Sequence, residues 1–211
     1  MKTKALQPVG YEKNYELLRA RLSQADFGQR ARELGFVPVD HGSTIDFLGR
    51  GYLLDSQGVR ALDGQPSPAN DRALLIHYIL SPGQAGPGDK FITLWQTPGF
   101  IRGRHAVGAD FICQPITRAF GSDLPALQKA CQALGGQEIE SVLSGWRRWL
   151  FRALPRISLL VDYSPPDEEF PAEARILFDD LAPTYLGFEC LAFLISIWAE
   201  ALAKAKELNQ S

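Results

Sequence analysis

Apolar residues recur at helical spacing in several segments of the chain. These segments are predicted to be helices and lie at about residues 11–22, 27–34, 67–80, 105–120, 124–134 and 188–202. Ser67 is predicted to cap the third helix, with Pro68 at its first helical position. The third helix is apolar nearly all round and the last is apolar in its first half, so both are expected to be buried.

Alternation of apolar and polar positions predicts strands in two parts of the chain. Ile45-Asp-Phe-Leu48 and Tyr52-Leu-Leu54 are separated by two glycines and predict a hairpin, which a third strand follows at about residues 59–62. Later apolar positions, from Trp149 to Ala153 and from Ile157 to Tyr163, predict two adjacent antiparallel strands, and residues 91–95 predict a short one. Since helices and strands do not alternate regularly, we expect an α+β fold.

Length and composition predict one ordinary globular domain. The 211 residues are 45% apolar and 22% charged, which is typical of a folded domain. We expect a single α+β domain over residues 1–211, with a mostly antiparallel sheet packed against several helices, a core from about residue 10 to 203 and short flexible termini. The formal net charge of -2 argues against a nucleic-acid partner.

Cysteine usage and hydropathy predict a cytoplasmic protein. Cys113, Cys131 and Cys190 are far apart and have no metal-ligand spacing, so we expect buried thiols in a reducing compartment. The chain starts without a signal-peptide pattern, and its longest apolar run is too short to span a bilayer, so we expect no membrane partner.

Several stretches taken in order resemble a known family. They are Asp71-Arg-Ala-Leu-Leu-Ile-His-Tyr-Ile-Leu80, Lys90-Phe-Ile-Thr-Leu-Trp95, Phe120-Gly121, and Asp167-Glu-Glu-Phe-Pro171 through Asp179. Over roughly residues 10 to 200 the chain resembles the family called domain of unknown function 3786. The resemblance implies no activity and carries over no catalytic residue. Some members are fused to a cysteine-rich, iron–sulfur-type segment, which implies redox or cofactor-related biology, but this chain lacks that cysteine cluster.

Carboxylates concentrate between residues 162 and 180, where prolines restrict the backbone. They are Asp162, Asp167, Glu168, Glu169, Glu173, Asp179 and Asp180. Asp167, Glu168 and Glu169 are predicted to lie on a loop, within reach of Asp162 if the chain doubles back, and oxygen ligands of this kind suit Mg²⁺, Ca²⁺ or Mn²⁺. The favoured alternative is that Asp167 caps a turn, the glutamates are solvated and Phe170 fills the core.

His77 lies in the apolar third helix, next to Tyr78, and is expected to be desolvated. A buried imidazole tends to be neutral and can act as a general base, metal ligand or axial ligand. The favoured alternative is a core histidine bonded to a carbonyl or carboxylate.

Two further segments combine cations with a possible binding geometry. Arg102, Arg104 and His105 precede a predicted helix and could hold a phosphate or carboxylate, although no phosphate-binding motif supports this and a solvated loop is favoured. The segment Trp146-Arg-Arg-Trp-Leu-Phe-Arg152 mixes cations with aromatics, as single-strand binders do. Strand alternation explains it more simply, with aromatics in the core and the arginines outside.

The leading hypothesis is a ligand- or cofactor-binding accessory protein without catalytic activity, which accommodates a small molecule or a protein partner. The candidate ligand-binding residues are His77, Tyr78, Trp95, Asp167, Glu168, Glu169 and Asp179. The alternative hypothesis is a metal-assisted, hydrolase-like enzyme that uses residues 167–169, with His77 as the base. The sequence identifies neither a cofactor nor the oligomeric state.

Overall fold

A computed structural model describes residues 9–23, 28–83, 86–97 and 109–208. The predicted flexible termini lie largely outside these residues. The described elements are helices and antiparallel strands, so the α+β fold is confirmed. The strands form two sheets, one of four strands and one of five. The chain divides into two compact units, Met1–Gln84 and Ala85–Ser211, with one sheet in each.

The first unit contains a four-stranded antiparallel meander and three helices. Its elements are α1 (Val9–Leu22), α2 (Gly28–Glu33), β1 (Val37–Val39), β2 (Gly42–Phe47), β3 (Arg50–Asp55), β4 (Gly58–Ala61) and α3 (Ala69–Ile79). The predicted hairpin is confirmed, because β2 pairs with β3 and Ile45 faces Tyr52. Its turn lies at Leu48 and Gly49, which both have positive φ, as a tight two-residue hairpin requires.

The buried helix α3 is also confirmed, but its predicted cap is wrong. The helix begins at Ala69 with Pro68 as the N-cap residue, and no side chain caps it. Pro68 favours a helix start through its fixed φ and has no N–H of its own to pair. Tyr52 on β3 donates a hydrogen bond to Oδ2 of Asp71 on α3 at 3.1 Å, and burial raises the pKa of Tyr52 to about 12.

The second unit contains the five-stranded sheet and the remaining helices. Its elements are β5 (Phe91–Ile92), a 3₁₀ helix (Leu94–Gln96), α4 (Ala109–Phe120), α5 (Leu124–Ala133), β6 (Gln137–Ile139), β7 (Arg147–Leu154), β8 (Ile157–Ser164), β9 (Glu173–Asp179), α6 (Ala182–Tyr185) and α7 (Phe188–Leu208). The strand order is β5-β9-β8-β7-β6. The two predicted adjacent strands are therefore confirmed as β7 and β8. Strand β9 lies in the acidic segment and was not predicted.

One face of this sheet packs against helices. Phe151 on β7 contacts Trp198 on α7, with ring centroids 5.6 Å apart and planes at 73°. The opposite face carries a buried ion pair: Arg148 donates to both oxygens of Asp162, at 2.5 and 2.7 Å. Arg148 therefore lies on the predicted face but is held by a carboxylate instead of by water. No helix of the described residues is long and apolar enough to cross a membrane.

Candidate binding cleft

The connection from β8 to β9 is a tight turn built by Asp167. Its Oδ1 accepts hydrogen bonds from the main-chain N–H groups of Phe170 and Glu169, at 2.7 and 2.9 Å. These bonds hold the pKa of Asp167 below its ordinary value of 3.8. The main-chain N–H of Asp167 in turn donates to the carbonyl of Phe170 at 3.0 Å. Asp167 therefore caps a turn, as the favoured alternative expected.

Phe170 lies at the surface, where 66% of it is exposed. The expectation that it fills the core is wrong, because the turn fixes its backbone outside the sheet. Glu168 and Glu169 are exposed beside it. The turn thus displays one aromatic ring together with three carboxylates.

A cleft of about 810 Å³ opens next to this turn. Its walls come from α4, the loop before β7, the turn itself and the start of β9. The lining residues are Cys113, Gln114, Thr117, Ser144, Gly145, Trp146, Ser164, Pro165, Pro166, Asp167, Phe170, Pro171, Ala172, Glu173 and Ala174. This volume lies in the range of pockets that hold small ligands.

Trp146, from the loop before β7, is the second aromatic residue that lines the cleft, and an arginine side chain packs against its ring. The guanidinium carbon of Arg175 lies 4.6 Å from the centroid of the Trp146 ring, in a cation–π contact. Arg175 also donates to Oε1 of Glu173 at 2.8 Å. The cleft therefore combines two aromatic side chains with the carboxylates of Asp167 and Glu173.

A smaller apolar cavity of about 220 Å³ adjoins the cleft and contains Trp95. Its lining residues are Thr93, Leu94, Trp95, Ile112, Cys113, Glu173, Ala174, Arg175, Ile176 and Ile195. Cys113, Glu173 and Ala174 line both spaces. The structure thus brings Trp95 next to the start of β9, within the acidic segment.

Asp179 and Asp162 have structural roles instead. Asp179 is fully buried, and its oxygens accept hydrogen bonds from the N–H groups of Ser158, Gly88 and Leu181, at 2.7, 3.0 and 3.2 Å. Its side chain links three separate main-chain segments and lines neither the cleft nor the smaller cavity, so we correct its assignment as a ligand-binding residue. Asp162 pairs with Arg148 within the sheet and does not join residues 167–169. The arrangement of Asp162 with residues 167–169, which was the less favoured interpretation, is therefore not formed.

His77 and Tyr78 belong to the first unit, whereas Trp95 and the turn belong to the second. Tyr78 is a core residue: it is fully buried, stacks on Phe36, and donates to the carbonyl of Leu34 at 3.0 Å. We therefore correct its assignment to a binding site. His77 is half-buried, so it is less desolvated than expected. A pocket that His77 shares with the acidic turn stays a prediction.

The other candidate sites gain no support from the described residues. Arg102, Arg104 and His105 lie outside the described ranges. Within those ranges, no group of three or more His, Cys, Asp or Glu residues could hold a metal ion. The metal-assisted hydrolase therefore stays a prediction that no observation favours.

Trp146 was not predicted as a site residue, because the alternation was interpreted as placing it in the core together with Trp149. The spacing of the residues already indicated that Trp146 lies on the other face. Trp149 and Phe151 share one face of β7, whereas Trp146 lies an odd number of positions from Trp149, in phase with Arg148. Gly145 has φ of 78° just before it, so the chain turns there and Trp146 precedes the strand.

Comparison with known proteins identifies the family to which the chain belongs. A search of the curated proteins found no match, and a search of the solved structures found none either. The family model described as Domain of unknown function (DUF3786) matches residues 26–201, which is most of the chain. The protein therefore belongs to the DUF3786 family.

Proposed function

We propose that this is a cytoplasmic binding protein without catalytic activity, whose cleft takes a ligand with a positive charge and an apolar or aromatic body. The observation that carries the proposal is the cleft beside the Asp167 turn, where Phe170 and Trp146 accompany carboxylates. The three free cysteines, two of them buried, support a reducing compartment.

The aromatic groups are held ready for a ligand. Two main-chain hydrogen bonds to Asp167 fix the backbone of Phe170, and Pro166 and Pro171 restrict the turn on either side. Arg175 restrains Trp146 by stacking on its ring. A site that is ordered before binding loses less conformational entropy on binding, so more of the contact energy becomes affinity.

The charges near the cleft favour a cation. The turn and the start of β9 carry the carboxylates of Asp167, Glu168, Glu169 and Glu173, and among the described residues of this segment only Arg175 opposes them. The local excess of negative charge attracts a positive ligand and repels an anion. The exposed ring of Phe170 favours the same sign, because the quadrupole of an aromatic ring attracts cations.

Three small probes of one shape test this function. We expect phenethylamine to bind the full-length protein with a Kd of about 1 mM, as a fragment does, and to shift the amide resonances of Phe170 and Ala174. Phenethyl alcohol should bind about fivefold more weakly, and phenylpropionate more weakly still. The measurement is an NMR titration of the ¹⁵N-labelled protein with each compound.

Matched variants locate the site. Phe170→Ala should weaken phenethylamine binding about fivefold, since it removes an aromatic wall. Val142→Ala should leave binding unchanged, because Val142 is 80% exposed but lines neither space. Equal binding of all three compounds, or shifts confined to residues outside the cleft, would refute the proposal.

A further inference from the structure

A cation of the chain itself occupies the aromatic ring and the carboxylate that two cleft residues offer. The guanidinium carbon of Arg175 lies 4.6 Å from the centroid of the Trp146 ring. Its Nε donates to Oε1 of Glu173 at 2.8 Å, and a terminal nitrogen lies 2.7 Å from the same oxygen. Trp146 and Glu173 both line the cleft, so we call the space between them the Trp146–Glu173 niche.

The register of the sheet explains why Arg175 lies in this niche. Arg175 on β9 is directly opposite Asp162 on β8, and Arg148 on β7 is opposite Asp162 from the other side. Arg148 donates to both oxygens of Asp162, whose carboxylate is therefore committed. Arg175 pairs instead with Glu173, two positions away on the same face of β9.

The contacts that hold Arg175 are of the kind that a ligand can replace. The side chains of Arg175 and Glu173 are 49% and 50% exposed, whereas those of Arg148 and Asp162 are only 12% and 3% exposed. Ion pairs and cation–π contacts at exposed positions are weakened by water and contribute little to stability. Arg175 can therefore leave the niche at a small cost, and solvent reaches both partners.

The niche suits a guanidinium better than an ammonium group. A guanidinium is planar, stacks on aromatic rings and directs several N–H donors in a fixed fork, whereas an ammonium is a compact, strongly hydrated charge. Arg175 uses both properties here, because it lies over the Trp146 ring and places two nitrogens on one oxygen of Glu173. The adjoining cleft, with Phe170, has room for the body of a ligand.

We propose that the guanidinium group of a ligand displaces Arg175 from the Trp146–Glu173 niche, so that the ligands of the cleft are guanidinium compounds with an apolar or aromatic body. The inference rests on the proposed function and names its ligand class. Arg175 holds Trp146 in the free protein, and the ligand takes over the same contact. Because a tethered group competes at a high effective concentration, Arg175 lowers the apparent affinity of the ligand.

The first test compares phenethylguanidine with phenethylamine, which has the same body, in NMR titrations of the full-length ¹⁵N-labelled protein. We expect phenethylguanidine to bind about threefold more tightly. At saturation the indole N–H resonance of Trp146 and the Nε–H resonance of Arg175 should both shift, because the first gains a new partner and the second loses its own. The indole resonance is assigned by its loss in Trp146→Phe.

The second test removes the tethered competitor. Arg175→Gln empties the niche and should tighten phenethylguanidine binding about fivefold. Arg147→Gln is the matched control, because Arg147 also pairs with a glutamate, Glu138, and lies 5.7 Å from the centroid of a tryptophan ring, that of Trp149. It lines neither the cleft nor the smaller cavity, so the same loss of charge there should leave binding unchanged. An unchanged thermal midpoint shows that each variant is folded.

A third comparison tests the carboxylate of the niche. Glu173→Gln removes the charge that accepts the guanidinium fork, so the preference for phenethylguanidine over phenethylamine should fall from about threefold to about one. Phe170→Ala should weaken both compounds and retain the preference, because the Phe170 ring contacts the shared body of the two compounds.

The outcomes separate this inference from the proposed function. Weaker binding in Arg175→Gln would show that Arg175 supports Trp146 for the ligand, and would refute displacement. Equal affinity of the two compounds for the wild-type protein would refute the guanidinium niche. In either case the binding function stands if phenethylamine still binds more tightly than phenethyl alcohol. If neither cation binds the wild-type protein, both proposals fail.

Discussion

Three aspartates of the acidic segment show that residue type alone does not define a site. Asp167 holds a surface turn, Asp162 neutralises an arginine within the sheet, and Asp179 gathers three main-chain N–H groups in the interior. The role of Asp167 could be predicted, because its partners are the next residues in the chain. The roles of Asp162 and Asp179 could not, since Arg148, Ser158 and Gly88 are distant in sequence and only the folded sheet brings them together.

The same substitution should therefore have different effects at Asp179 and Asp167. In Asp179→Asn an amide NH₂ replaces an oxygen that accepts N–H bonds, so buried donors face each other without an acceptor. We expect the free energy of unfolding to fall by about 2 to 3 kcal/mol. Asp167→Asn retains the single oxygen that caps the turn and should change stability little. Urea unfolding followed by circular dichroism measures both, and equal effects would contradict these roles.

At the scale of elements, alternation and helical spacing correctly predicted the helices and strands that bury one face and expose the other. The strands β7 and β8 were predicted, because Trp149 and Phe151 alternate with residues of the other face. Strand β9 was missed, because its first half is exposed and the prolines and carboxylates just before it indicate a loop. Alternation alone cannot separate the exposed start of a charged strand from a loop.

The pairing of β7 with β8 includes the Arg148–Asp162 ion pair, whose side chains are only 12% and 3% exposed. Arg148→Met leaves a buried carboxylate without its cation and should lower the free energy of unfolding by about 3 to 5 kcal/mol. Arg148→Met combined with Asp162→Leu removes both charges and should restore most of that loss. A double-mutant cycle by urea denaturation measures the coupling. Additive losses in the double variant would show that the pair does not act as a unit.

At the scale of the whole molecule, the sequence predicted the α+β class but not the number of sheets. Strands β1 to β4 pair in chain order, so local hairpin signals are sufficient for them. In the second sheet β5 pairs with β9, although α4, α5 and three strands separate them in sequence. Strand patterns carry no information about such distant partners. The binding cleft depends on this topology, since its walls come from α4, the loop before β7 and β9.

The prediction of a single domain has a direct test in the positions of the tryptophans. All four, at 95, 146, 149 and 198, belong to the unit Ala85–Ser211, so tryptophan fluorescence reports on that unit alone. Leu75 is fully buried in the other unit, and Leu75→Ala should cost about 3 kcal/mol through the cavity it leaves. Because one domain unfolds as one cooperative unit, fluorescence and circular dichroism should show the same lowered midpoint in urea. Leu194→Ala, which truncates a fully buried residue of the second unit, should lower both signals in the same way. A fluorescence midpoint that stays at the wild-type value in Leu75→Ala, while circular dichroism shows an earlier transition, would establish two domains.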